Sequence, residues 1–184
     1  MQIEAHTNSL FNSVTYRFGA MIVDPGDVWR FEGALNVLLT HAHFDHIYGL
    51  NELLRLSPTA KVFTNASGRE MLLDARKNMS FYNESPFVFD HPDRVVVVEE
   101  GDEVCLGEGL VALAVFTPGH NPSCITWVVG DAVFSGDALI PGVKTVTNLP
   151  GGDKVAAARS EERIRALKGA RTLYPGHPAN PSPS

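Results

Sequence analysis

Apolar and polar positions along this chain change their period several times, and each change marks an element. Val14, Tyr16 and Phe18 recur at a period of two, which predicts a strand over 12–18 with one face buried. Ala20-Met21-Ile22-Val23 predicts a second strand, closed by the turn residues Asp24-Pro25-Gly26-Asp27. The start therefore reads as antiparallel and rich in hairpins, followed by a short helical segment over 28–33. A third apolar run covers 36–39. The period then lengthens. Ile47, Leu50, Leu53 and Leu54 fall at helical spacing, and Ser57-Pro58 stops that helix. A strand over 61–64 and a helix over 66–75 follow.

Residues 76–93 show no period and carry the aromatics Phe81, Tyr82, Phe87 and Phe89. Two readings stay open: a surface loop tacked down by its aromatics, or a lid facing a substrate. Strands return at 95–98, 110–116, 124–129 and 132–134, with a turn over 100–103 and a hairpin signal at Gly130-Asp131. A helix over 153–168 has Val155, Ala158, Ile164 and Leu167 on its packed side and Gly169 past its end. A last strand covers 171–174, and a Pro/Ser-rich tail over 179–184 is expected to fray. The mixture indicates an α/β protein with two sheets covered by helices, in one domain over 1–178.

Four strand ends share one grammar. Val37-Leu38-Leu39-Thr40 leads to His41, and His43, Asp45 and His46 follow within the same six residues. Val115-Phe116-Thr117-Pro118-Gly119 leads to His120, Val133-Phe134-Ser135-Gly136 to Asp137, and Leu173-Tyr174-Pro175-Gly176 to His177. Polar side chains crowded past buried strands are costly unless paired, and neutral imidazole with carboxylate is a first-choice donor set for zinc and similar ions. Glycine before three of the four permits close backbone approach. The set His41, His43, Asp45, His46, His120, Asp137 and His177 is too large for one tetrahedral ion. It suits two divalent ions with one carboxylate bridging: zinc first, iron or manganese as alternatives. His6 and His91 read as ordinary histidines, Cys124 as outside the ligand set, and Lys144 as a solvated surface lysine.

Composition narrows the function without changing the fold. Of 184 residues, 44% are hydrophobic and 20% charged, which suits an ordinary globular chain with a full core. A net charge of −6 without a Lys/Arg block argues against a general nucleic-acid binder. No apolar run approaches the roughly 20 residues of a membrane span. Met1-Gln2-Ile3-Glu4 lacks the basic start of a secretory signal, so a cytoplasmic location is expected. Cys105 and Cys124 are expected as buried free thiols. The expected partner is a small-molecule substrate, with neither nucleic acid nor membrane.

Thr40-His41-Ala42-His43-Phe44-Asp45-His46, Thr117-Pro118-Gly119-His120, Ser135-Gly136-Asp137 and Pro175-Gly176-His177 resemble the motifs of the metallo-β-lactamase-fold hydrolases. Asn148-Leu149-Pro150-Gly151-Gly152-Asp153 resembles the glyoxalase II-like branch in particular. The resemblance implies a four-layer αββα sandwich with the site at one edge of the sheets. It implies that His41, His43 and His120 hold one metal, that Asp45, His46 and His177 hold a second, and that Asp137 bridges them. It also places Asp45 in the catalytic machinery. A metal-bridging hydroxide would then hydrolyse a small thioester or ester. The third motif departs from the family's usual Thr-Pro-Gly-His-Thr-x-Gly-Ser by continuing as Asn121-Pro122-Ser123-Cys124. Glyoxalase II proper adds a C-terminal helical domain that helps bind glutathione, and this sequence stops seven residues after His177. The expectation is therefore a small thioester or ester rather than strictly a glutathione thioester. Persulfide dioxygenases, with one iron, share most of this pattern and form the alternative. A non-catalytic metal-binding protein on the same fold is a third reading.

Overall fold

Alternation decides which way each strand faces. In the computed structural model, which describes residues 1–107 and 109–179, Met21 and Val23 enter one apolar cluster, while Ile22 between them enters another. The same switch occurs at Leu38, whose neighbours Val37 and Leu39 face the opposite way. A strand buried on both faces belongs in the middle of a layered structure.

The first sheet holds β1 (Glu4–Thr7), β2 (Val14–Phe18), β3 (Met21–Val23), β4 (Asn36–Leu38), β5 (Lys61–Thr64) and β6 (Val95–Val97), in that order. β1 to β3 run antiparallel, as the hairpin-rich start implied, and β3 to β6 run parallel. The second sheet has the order β11-β10-β9-β8-β7, from β7 (Glu103–Gly107), β8 (Leu110–Phe116), β9 (Ile125–Val129), β10 (Ala132–Gly136) and β11 (Thr172–Pro175). Its β10–β11 pair is parallel and the others are antiparallel.

Three apolar clusters define the layers. Tyr16, Phe18 and Leu38 of the first sheet meet Ala112, Trp127 and Phe134 of the second. On the outer face of the first sheet, Leu50, Leu53 and Leu54 of α1 (Leu50–Leu56) and Met71 and Leu72 of α2 (Ala66–Leu72) cover Ile22, Val37 and Val62. On the outer face of the second, Ile164 of α3 (Lys154–Lys168) packs with Val133 and Leu139. The order is helix, sheet, sheet, helix. No helix among the described residues is long and apolar enough to cross a membrane.

Several local expectations need correction. Residues 28–33 form no helix, because Arg30 and Gly33 both take positive φ (51° and 73°), which ends a right-handed turn. The helix expected over 66–75 stops at Leu72. Strand β7 begins where the sequence suggests only a turn, and it alternates cleanly: Val104 and Leu106 are buried, so Cys105 between them is exposed rather than buried. Cys124 is a buried free thiol as expected. The edge strand β1, half-exposed along its length, gave no pattern to read. Helix α3 buries Ala157, Ser160 and Ile164, while Val155 is exposed. The cause is Gly119, where an added Cβ would lie 2.2 Å from the Ala157 backbone nitrogen: that approach turns the Ala157 side of the helix to the sheet. The predicted fraying tail, from residue 180 onward, lies outside the described residues.

Candidate metal centre

All seven predicted residues come together at one edge of the sandwich. Leu39 leaves β4 and pairs with β5, and the Thr40 carbonyl accepts a hydrogen bond from Ile125 N–H of the other sheet (2.7 Å). That bond ties the first His-rich turn to the second sheet. Phe44–His46 then forms one turn of 3-10 helix, with His46 completely buried. The ends of β8, β10 and β11 bring His120, Asp137 and His177 to the same place.

The predicted residues form two groups of donor atoms. Ligand atoms of His41, His43 and His120 lie within 4.8 Å of one another, and so do those of Asp45, His46 and His177. Asp137 stands between the groups: Oδ2 is 3.6 Å from His120 Nε2 and 3.4 Å from His177 Nε2, and Oδ1 is 3.6 Å from His46 Nε2. Gly176 makes this approach feasible, because an added Cβ would sit 2.2 Å from Asp137 Oδ1.

Surrounding groups orient the rings. The His177 Nδ1–H donates to the Phe11 carbonyl (3.1 Å), and the His120 Nδ1–H donates to the Val146 carbonyl (2.9 Å), which leaves both Nε2 atoms facing the centre. Thr40 Oγ1 lies 3.2 Å from His41 Nδ1. The departure at Asn121-Pro122-Ser123 is integrated as well. The Asn121 side-chain oxygen accepts from Ser123 N–H and Oγ–H (2.8 and 2.7 Å), and its amide nitrogen faces His43 Nε2 at 2.9 Å. Ser123 Oγ accepts from Ala42 N–H (3.0 Å), so the replaced motif still braces the His41–His46 turn.

The charges of the groups are strongly coupled. Burial, then the neighbouring imidazoles, pushes the His41 pKa well below 6.5, and burial with His120 beside it takes His43 down to about 4. His46 moves the other way: burial lowers it, but Asp45, Asp137 and Asp24 outweigh that and raise it to about 9. His177 is likewise pulled down by burial but carried up to about 10 by Asp137 and Asp45. Burial favours the neutral form of both Asp45 and Asp137, yet the adjacent histidines hold their carboxyls below the ordinary range.

Two atoms at the middle of this set, His41 Nε2 and Asp137 Oδ1, are buried without any hydrogen-bond partner. His43 Nδ1 and His120 Nε2 face each other at 2.9 Å, and His46 Nε2 and His177 Nε2 at 3.3 Å. Unpartnered acceptor atoms among crowded imidazoles in a buried space call for a cation, and this His/Asp set fits a divalent one.

The family model described as the metallo-beta-lactamase superfamily matches residues 19–177. The chain belongs to this superfamily. Among its curated relatives, a probable metallo-hydrolase of Bacillus subtilis, YqgX, is 34% identical over 147 residues, covering 78% of this chain and 68% of the relative. A hydroxyacylglutathione hydrolase of Xylella fastidiosa is 32% identical over 127 residues, covering 65% of this chain but only 41% of its own length. The solved structure of BLEG-1, a B3 metallo-beta-lactamase, superposes with a TM-score of 0.82 at 25% identity, covering 98% of this chain and 92% of that one. The glyoxalase II-like resemblance and the αββα fold both agree with these relatives.

Among the residues at this edge, sequence reasoning missed Asp24, which it read as part of a turn. Asp24 is buried at positive φ (51°) and accepts from Thr40 N–H and Oγ–H at 2.7 and 2.5 Å. It also accepts from His46 Nδ1–H at 3.1 Å. Its oxygens are thus engaged in orienting neighbours, although it lies within ligand distance of His41 and His46. The signal was present: Met21-Ile22-Val23-Asp24 is another apolar strand ending on a ligand-type residue. His6 stacks on Trp29 and pairs with Asp27, away from the centre.

The irregular loop proves to be both anchored and close to the centre. Asn78 Nδ2 donates to the Met71 and Phe87 carbonyls, Phe87 and Phe89 are buried, and Phe44 N–H donates to the Asn78 carbonyl. Its tip, with Met79, Tyr82 and Asn83, borders a cleft above Asp45 and Asp137.

Proposed function

We propose that this chain is a metal-dependent hydrolase of a small ester or thioester, working with two divalent ions. In this reading His41, His43 and His120 would hold one ion, Asp45, His46 and His177 would hold the other, and Asp137 would serve both. Zinc is the first expectation for the metal, with iron or manganese as alternatives. The observation that carries the reading is the pair of buried, unpartnered atoms, His41 Nε2 and Asp137 Oδ1, one aimed into the first group and one lying between the two.

Ions held there would supply a water-derived nucleophile at neutral pH and polarise the scissile carbonyl. The chain's own residues do the rest. Phe11 and Val146, through their carbonyls, hold His177 and His120 in the required tautomer. Asp45 both joins the second group and borders the cleft, where its carboxylate can take the proton given up by the attacking water. Water supplies the hydroxyl to the acyl carbon, the acyl–oxygen or acyl–sulfur bond breaks, and the leaving group departs with the proton that Asp45 took up. No Ser or Cys nucleophile is required, and Cys124, whose pKa burial drives upward, is unsuited to one.

The test is elemental analysis of protein purified from its own host, combined with ester and thioester assays before and after chelation. Two equivalents of metal, hydrolysis abolished by chelator, and loss of rate by orders of magnitude in His41→Ala are expected. Full hydrolytic rate in His41→Ala would overturn the reading. One iron per chain with oxygen consumption on a persulfide would replace it with the oxygenase alternative.

A further inference from the structure

The cleft above the two ligand groups has a volume of about 370 Å³, at the small end for a ligand site. Its floor carries His43, Asp45, His120 and Asp137. Its walls are of another kind: Phe11, Phe44, Met79, Tyr82, Val146 and Leu149, with Asn83 the one polar residue among them. No Lys or Arg is among the described residues lining it. Lys144 lines an adjoining recess of about 20 Å³ that shares His120, Asp137 and Val146 with the cleft and has roughly the room of one water.

Phe11 and Tyr82 are unusual residues to find on a surface. They are 69% and 82% exposed, and both border this one cleft from loops far apart in the sequence. Exposed aromatics gathered at one cavity mark a binding surface rather than scattered surface hydrophobes. The Phe11 backbone is also held in a costly conformation. Phe11 and Asn12 are consecutive non-glycine residues at positive φ (53° and 57°). The turn that results aims the Phe11 carbonyl at His177 Nδ1 and keeps the Phe11 ring at the cleft mouth. A carboxylate on the organic part of a substrate would lose its water here without gaining a cationic partner from the walls. An apolar group would bury both itself and the exposed aromatics.

From these observations we infer that the cleft selects uncharged esters or thioesters whose acyl group is apolar, such as phenylacetyl, seated against Phe11, Phe44 and Tyr82. The inference rests on the hydrolase reading for the chemistry, while the choice of acyl group rests on the cleft walls.

The experiment compares metal-loaded protein on p-nitrophenyl esters that differ only in the acyl group: phenylacetyl, butyryl, and succinyl with its free carboxylate. Binding of phenylacetate and of succinate is measured in parallel by calorimetry. The phenylacetyl ester is expected to exceed the succinyl ester in kcat/KM by about tenfold or more, since apolar pocket contacts discriminate at that scale. Phe11→Ala and Tyr82→Ala should shrink that ratio through KM, and Tyr82→Phe should restore it. Phe11→Ala keeps the carbonyl that orients His177, and both side chains are exposed, so the folded state is not at stake. Equal or better turnover of the succinyl ester overturns the inference and leaves the hydrolase reading standing. No hydrolysis of any ester, with phenylacetate still bound in preference to succinate and released by Phe11→Ala, supports the cleft assignment and removes the hydrolase reading. No turnover and no preference in binding overturns both.

Discussion

Asp24 Oδ2 accepts a 3.1 Å hydrogen bond from Nδ1 of His46, a residue on a different strand end and completely buried. The same carboxylate takes both donors of Thr40. One buried side chain therefore orients a ring of the second ligand group and the residue that opens the first. Removing such a partner costs a metal site about 10–100-fold in affinity. Asp24→Asn should weaken metal binding by that factor, because an amide must present its N–H₂ to the Thr40 donors or to His46 Nδ1–H. Competition against a chromogenic chelator measures it, and unchanged affinity would show that His46 needs no such support.

Gly176 has a steric rather than a chemical role. Its missing Cβ leaves room for Asp137 Oδ1 at 2.2 Å and for His46 Cε1 at 2.9 Å. Gly176→Ala must displace Asp137, the residue that faces both groups. Metal content should fall in the variant while the far-UV spectrum stays native, because β10 and β11 are still paired. Elemental analysis alongside circular dichroism checks both halves.

Opposed shifts in the ligand histidines give the metal-free protein a stability maximum in pH. His43, held at about 4, and His41, held well below 6.5, stay neutral in the fold where the unfolded chain would protonate them. Their contribution is present above 6.5 and is lost as pH falls. His46 and His177, raised to about 9 and about 10, keep a proton that the unfolded chain gives up. Their contribution is complete below 6.5 and is lost as pH rises through those values. Thermal unfolding of chelated protein between pH 4 and 10 should therefore peak near the ordinary imidazole value, about 6.5. A melting temperature still climbing at pH 9 would contradict the assignment. Metal added at neutral pH should release protons from His46 and His177.

Trp127 links the central cluster to the metal edge. Its ring lies in the core between the sheets, and its Nε1–H donates to the Leu39 carbonyl at 2.9 Å, two residues before His41. Trp127→Phe keeps an aromatic ring but leaves that buried carbonyl unpaired, a cost of about 1–3 kcal/mol before any cavity is counted. Trp127→Ala should cost about 3–5 kcal/mol. Denaturant unfolding of both variants reads the difference directly.

The order of strands and helices, and the set of ligand-type residues, were legible in the chain because they are local. Period two in Val14, Tyr16 and Phe18, helical spacing in Leu50, Leu53 and Leu54, and the run from apolar strand to glycine to His or Asp each need only a few neighbouring residues. What no local pattern carries is who faces whom. The exposed Cys105, the buried side of α3 and the orienting role of Asp24 depend on contacts with residues distant in sequence. The aromatic mouth of the cleft does too, built as it is from Phe11 and Tyr82 on separate loops. Burial and close approach are properties of assembled layers, so only the tertiary structure decided them: it turned seven scattered side chains into two adjoining groups and gave the cleft above them its apolar walls.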